Sequence, residues 1–164
     1  MNSCVRHGAG IVLRGTMSGA VGTAAMSALI LAGQVLGLFR TPPPEQITAA
    51  ATAAAGEQPA PASPAFQAGW VTAHLLYGMA CGAVYSILAQ YGLRRVWPAA
   101  PRQPVGIGFG LLVWGASYLG FLPALRLYPR PDADTPGRIA TMIGAHVVFG
   151  ATLAEVDGRL AARD

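Results

Sequence analysis

The stretch His74-Leu-Leu-Tyr-Gly78-Met-Ala-Cys-Gly82-Ala-Val-Tyr85 lies inside residues 58–93, a run with no charged side chain. Three more such runs follow the same rule, residues 15–39, 103–125 and 139–154. About 20 apolar residues at a rise of about 1.5 Å each carry a helix across roughly 30 Å of hydrocarbon. The first three runs exceed that length. The fourth reaches only about 24 Å, so its ends must extend to Arg138 and Glu155, with the long side chains snorkelling toward water. The expected fold is all-α: an integral membrane four-helix bundle in one domain, residues 1–164, with spans at about 15–38, 67–91, 105–125 and 138–157.

Composition agrees. The chain is 53% hydrophobic and 11% charged, with a mean hydropathy of +0.45, whereas soluble domains carry roughly a quarter charged residues. Its net charge of +4 comes from eleven arginines scattered through short connections, which argues against nucleic-acid binding and for the lipid bilayer as the main partner. Arg6, Arg14, Arg94, Arg95, Arg102, Arg159 and Arg163 fall on one side of the expected topology, and Arg40, Arg126, Arg130 and Arg138 on the other. By the positive-inside bias, seven against four places both termini in the cytoplasm. Residues 15–39 are too long for the roughly 7–15-residue core of a signal peptide and read as a retained helix. Cys4 and Cys81 fall at different depths, which excludes a disulfide between them, and Cys81 reads as a small hydrophobe.

The first span is rich in small residues, with GxxxG steps at Gly15/Gly19 and Gly33/Gly37. In lipid such residues matter because helices gain from close backbone approach rather than from apolar burial. Arg40-Thr-Pro-Pro-Pro44 ends that helix. The outer loop, residues 41–66, then holds an alanine-rich segment over 45–55, closed by Gly56, and a Pro/Ala linker; it is the expected place of partner contact. Trp70 and Trp97 suit the interfaces, and Pro123 is expected to kink or end the third span. Gly106-Ile-Gly-Phe-Gly110 lacks the preceding strand and following acid of a nucleotide fingerprint. In the last outer turn, Asp132 and Asp134 have too few companions for calcium. Thr135 is expected to cap the fourth helix, with Pro136 at its first position.

Two halves emerge. Gly15-Thr-Met-Ser-Gly19 opens one hairpin and Gly106-Ile-Gly-Phe-Gly110 the other, and the second helix of each carries His-x-x-aromatic-Gly, at His74–Gly78 and His146–Gly150. This reads as two tandem helical hairpins, parallel repeats about an axis along the membrane normal. Both histidines then lie at similar depth, on faces continued by Gly78 and Tyr85, and by Gly150 and Asp157. Ionisable residues in a membrane are costly and tend to be functional. One reading makes His74 and His146 axial ligands of a b-type haem, with Gly78 and Gly150 leaving room for the ring. Others make them a metal or proton-relay site, or neutral imidazoles bonded to a neighbouring helix through a carbonyl, Thr23, Ser27, Ser117 or Tyr118. Zinc would want three or four ligands, so no metal set is assigned. A bundle this small is expected to have little spare volume. No carboxylate is expected inside a span and no Ser/His/Asp set is present, so an enzyme is not expected. What remains is an accessory or structural membrane protein, in a larger complex or a homo-oligomer, with a haem anchor and a small-solute or proton pathway as alternatives.

The first helix with Thr23 and Met26, His74-x-x-x-Gly78, Phe121-Leu-Pro123 before a Pro-rich turn, and Gly144-Ala-His146-Val-Val-Phe-Gly150 together resemble the YagU-type family of small bacterial inner-membrane proteins of unknown function. The Ala/Pro-rich first loop departs from it. The resemblance implies a four-helix inner-membrane protein linked to acid or envelope stress, and no established reaction.

Overall fold

The computed structural model describes residues 3–97 and 99–163, with side chains for all of these except residues 3–6, 93 and 94. The Cys4 thiol and the Arg6 and Arg94 side chains used in the charge argument therefore lie outside the described residues. Five principal helices follow one another: α1 Ser3–Val35, α2 Pro43–Ala54, α3 Pro64–Ile87, α4 Arg102–Gly115 and α5 Pro136–Ala161. A π-helical turn, Leu88–Leu93, continues α3. Another, Ala116–Phe121, and the short helix Leu122–Ala124 continue α4. Among the described residues, four helical segments are long and apolar enough to cross a membrane: His7–Val35, Pro64–Gly92, Arg102–Ala124 and Pro136–Ala161.

All four outlast their expected bounds at one end or both, most of all α1, which begins at Ser3 rather than near residue 15. Arg14 is thus not a flanking charge. It is buried within the helix. The widened turn before Pro123 follows from chemistry, since proline has no N–H for the carbonyl one turn back and the helix relaxes there. Turn closure is uniform. After α1, Leu38 N–H reaches Gly33 O and Gly37 N–H reaches Gln34 O, with Gly37 at φ +74°. The same paired bonds close α2 at Gly56 (φ +83°) and the third span at Arg126 (φ +58°). This is the Schellman arrangement, whose left-handed position favours glycine, and Arg126 fills it without that advantage.

The helices pack through glycine. A Cβ on Gly15 would strike Gly82 O and Ser86 Oγ, and one on Gly19 would strike Gly78 O. In the other hairpin, a Cβ on Gly106 would strike Gly150 O and Ala154 Cβ, and one on Gly110 would strike His146 O. These contacts run antiparallel within each hairpin and match position for position, so the repeat is real in three dimensions. They also correct its register. Gly82 corresponds to Gly150 and Ser86 to Ala154, so His146 stands where Gly78 stands, one turn (about 5.4 Å) from the counterpart of His74. The repeat therefore does not pair the two histidines with each other, yet Gly19 meets Gly78 and Gly22 meets Phe149 along α1, which sets His74 and His146 at similar height on that helix, as expected.

The hairpins join along α1 and α5. Gly22 lies against Phe149, Gly33 against Thr141 and Phe39, and Arg14 against Asp157. Met26, Ile30, Phe39, Tyr85, Met142, Ala145, Phe149 and Leu153 form the buried core along that seam. The start of α1 and the end of α5 lie at one end of the bundle, where Arg14 meets Asp157; α2 and the 125–135 turn lie at the other.

Candidate functional site

Two features stand out in the interior: a cavity toward the far end and a buried charge cluster near the terminal end. The cavity, about 250 Å³, is bounded by all four spans and by α2. The expectation of little spare volume is therefore wrong. Close backbone packing joins α1 to α3, α1 to α5 and α4 to α5, whereas α3 and α4 face each other without comparable packing. Tyr77 spans the gap: its hydroxyl lies 3.0 Å from Ser117 Oγ, and its ring meets Phe121 edge-on at 6.5 Å. The roof is the segment read as partner-seeking loop, since Pro43, Pro44, Ile47 and Thr48 of α2 cover the cavity together with Tyr128. Burial pushes the Tyr128 phenol above its ordinary range, so it stays neutral, and its oxygen accepts from Arg138 Nη1.

His74 and His146 both line this cavity. Nδ1 of His146 lies 2.8 Å from Met142 O on its own helix, which leaves Nε2 as the other ring position. His74 Nε2 is buried with no hydrogen-bond partner, and Nε1 of Trp114, another lining residue, is in the same condition. The anticipated hydroxyl partners are occupied elsewhere: Thr23 bonds Gly19 O, Ser117 bonds Val113 O, and Tyr118 bonds Asp134. Gly78 and Gly150 do not open room for a ring. Gly78 is filled by Thr23 and Gly150 by the backbone of Gly106 and Ile107. Cys81 also lines the cavity as a free thiol.

Near the terminal end, Arg14 Nε lies 2.9 Å from Asp157 Oδ1, with side chains 9% and 6% exposed, and Ser86 donates to the same carboxylate oxygen. α1, α3 and α5 are thereby tied at one point. A carboxylate does sit inside the fourth helix, against expectation, because it carries its countercharge with it. Asp157 lies eleven residues, about 16 Å along the axis, beyond His146. Tyr85 packs in the core on Phe109, with ring centroids 5.3 Å apart. Neither stripe forms a line of facing titratable groups.

At the far end, Tyr118 donates to Asp134 (2.9 Å), Arg138 pairs with Asp134 (3.2 Å), and Trp114 stacks on Tyr118 at 5.4 Å. Thr135 occupies the cap position of α5, but its hydroxyl caps nothing; its backbone N–H is taken by Asp134 Oδ1 at 2.7 Å. Among the described residues, no three His, Cys, Asp or Glu side chains converge as a metal set.

A family model covers residues 9–164 of the chain, nearly all of what has been described, and it is that of a family of unknown function, DUF6789. The chain belongs to this family. No curated protein and no solved structure matches it. The four long apolar helices fit a multi-pass membrane protein.

Proposed function

We propose that the protein is a non-enzymatic accessory component of the bacterial inner membrane, working by association with a second copy or a larger assembly. The observation that carries this reading is the outward side of α4. A Cβ on Gly108, Gly115 or Gly120 would meet nothing within 4 Å, while Leu112 and Leu119 beside them are 65% and 59% exposed. Leucine gains little from protein over lipid, so helix association depends on sites where backbones can approach. Gly106 and Gly110 already serve that role inside the bundle. Gly108 and Gly115, two turns apart, offer it outward. The arginine distribution supports cytoplasmic termini, and the YagU-type link to acid or envelope stress rests on the resemblance carried by the first helix, His74-x-x-x-Gly78, Phe121-Leu-Pro123 and residues 144–150. The test is cross-linking in lipid nanodiscs and in cells. Gly108→Leu with Gly115→Leu lowers the associated fraction while the monomer remains folded; a strictly monomeric, partner-free wild type rejects the reading.

A second reading, a bis-histidine haem anchor, draws on one observation: both histidines face the same cavity. The volume weighs against it. Sites for drug-sized ligands run from roughly 300 Å³ upward, and the two glycines meant to admit the ring are filled. A Soret band lost on His74→Ala or His146→Ala supports haem; a colourless preparation from haem-replete cells ends it.

A further inference from the structure

We propose that the central cavity is a binding site for a neutral, ring-sized hydrophobe with one oxygen function, of the phenol or quinone head-group class. Size comes first. An apolar cavity of about 150 Å³ holds benzene, so one of about 250 Å³ accommodates about ten heavy atoms by proportion. Charge comes next. The wall is built of apolar, aromatic, hydroxyl and imidazole groups, and no arginine or carboxylate side chain lines it. An ion entering it would lose its hydration without compensation, which is prohibitive at this burial.

The two unpartnered atoms then give the ligand its chemistry. Trp114 Nε1–H is a donor only, and His74 Nε2 is a donor or an acceptor according to tautomer. A buried polar atom without a partner is costly, and two on residues that line one cavity call for explanation. A carbonyl oxygen accepts from either N–H. A phenolic hydroxyl accepts from Trp114 and donates to His74. A hydrocarbon relieves neither. The aromatic rings of Tyr77, Phe149 and Trp114 supply flat surfaces for a ring. This inference is independent of the association proposed through α4, which uses the opposite side of that helix.

The test uses the purified full-length protein in mild detergent, titrated with 4-propylphenol, propylbenzene and 4-propylbenzoate at matched micellar concentrations. Thermal midpoint and tryptophan emission are the readouts. The expected result is saturable stabilisation by the phenol, with propylbenzene at least about tenfold weaker, the worth of one or two buried polar contacts, and no saturable response to the benzoate. His74→Phe and Trp114→Phe each erase the preference for phenol over hydrocarbon, and Val113→Phe, which fills the cavity, abolishes binding of both. The contrast among the three compounds on the wild type decides the matter even where a variant fails to fold. Equal binding of phenol and hydrocarbon overturns the proposal in favour of an unselective void. Preference for the benzoate overturns the argument from charge, and a resident haem overturns the ligand class. Absence of saturable binding by all three rejects the site.

Discussion

Asp157→Leu is expected to destabilise the protein by about 3–5 kcal/mol, the usual cost of removing one partner from a buried ion pair. Two features of the geometry place it in that range. The Arg14–Asp157 contact is 2.9 Å with both side chains over nine-tenths buried, and Ser86 donates to the same oxygen, so two donors on two helices lose their acceptor together. Coulomb attraction at about 4 Å with an effective dielectric of about 20 gives about 4 kcal/mol, in agreement. Arg14→Met alone should cost a similar amount, because it leaves the carboxylate in place. The double variant is expected to cost only about 1 kcal/mol, since two apolar side chains of similar size suit the same setting and the Ser86 hydroxyl can turn back to its own helix. Reversible unfolding in mixed micelles, driven by a rising fraction of sodium dodecyl sulfate, measures all four species. The cycle should return a coupling of about 5 kcal/mol or more, over a thousandfold in equilibrium constant. Additive single variants, with coupling within about 0.5 kcal/mol of zero, would show that the pair is solvated and that the assignment of a tie between three helices is mistaken.

Gly19→Val should destabilise by about 1–3 kcal/mol or more, because its side chain must occupy the Gly78 carbonyl, whereas Gly108→Val leaves the same unfolding midpoint within error. Arg126→Gly relieves a left-handed residue (φ +58°) and should stabilise by about 1 kcal/mol, seen as a rise of about 2–4 °C in thermal midpoint; an unchanged or lower midpoint contradicts the strain. In a Cys4→Ser background, alkylation of Cys81 by a small apolar thiol reagent should slow about tenfold when 4-propylphenol is present at about ten times its Kd. A rate indifferent to the phenol places the compound elsewhere.

Much of the fold was legible because hydropathy reports what lipid demands: runs of uncharged residues long enough to span, punctuated by proline and arginine. The hairpin repeat was legible too, through Gly15/Gly19 and Gly106/Gly110, although its register came out one turn off because the eye aligned histidine with histidine. Contacts show that the conserved spacing within the molecule is glycine on glycine. Arg14 and Asp157 escaped for a different reason. Each taken alone is too costly to bury and so reads as a span boundary; only the pairing across 143 positions makes burial tolerable, and no local pattern encodes it. Asp157, eleven residues after His146 on one helical face, was the single available hint. The cavity left no mark either, since an apolar side chain looks the same in sequence whether it meets lipid, protein or a void. Trp114 is likewise indistinguishable in sequence from an ordinary packing residue.

The glycine register has a consequence for how the chain is assembled. Each hairpin closes on itself through its own backbone contacts, Gly15 and Gly19 on Gly82 and Gly78, Gly106 and Gly110 on Gly150 and His146. The two then meet along one seam between α1 and α5. None of these glycine contacts involves the connection between α3 and α4, so the chain is expected to tolerate a break there. Two fragments cut there and co-expressed carry everything needed to find each other in the bilayer, and neither alone can wall the cavity.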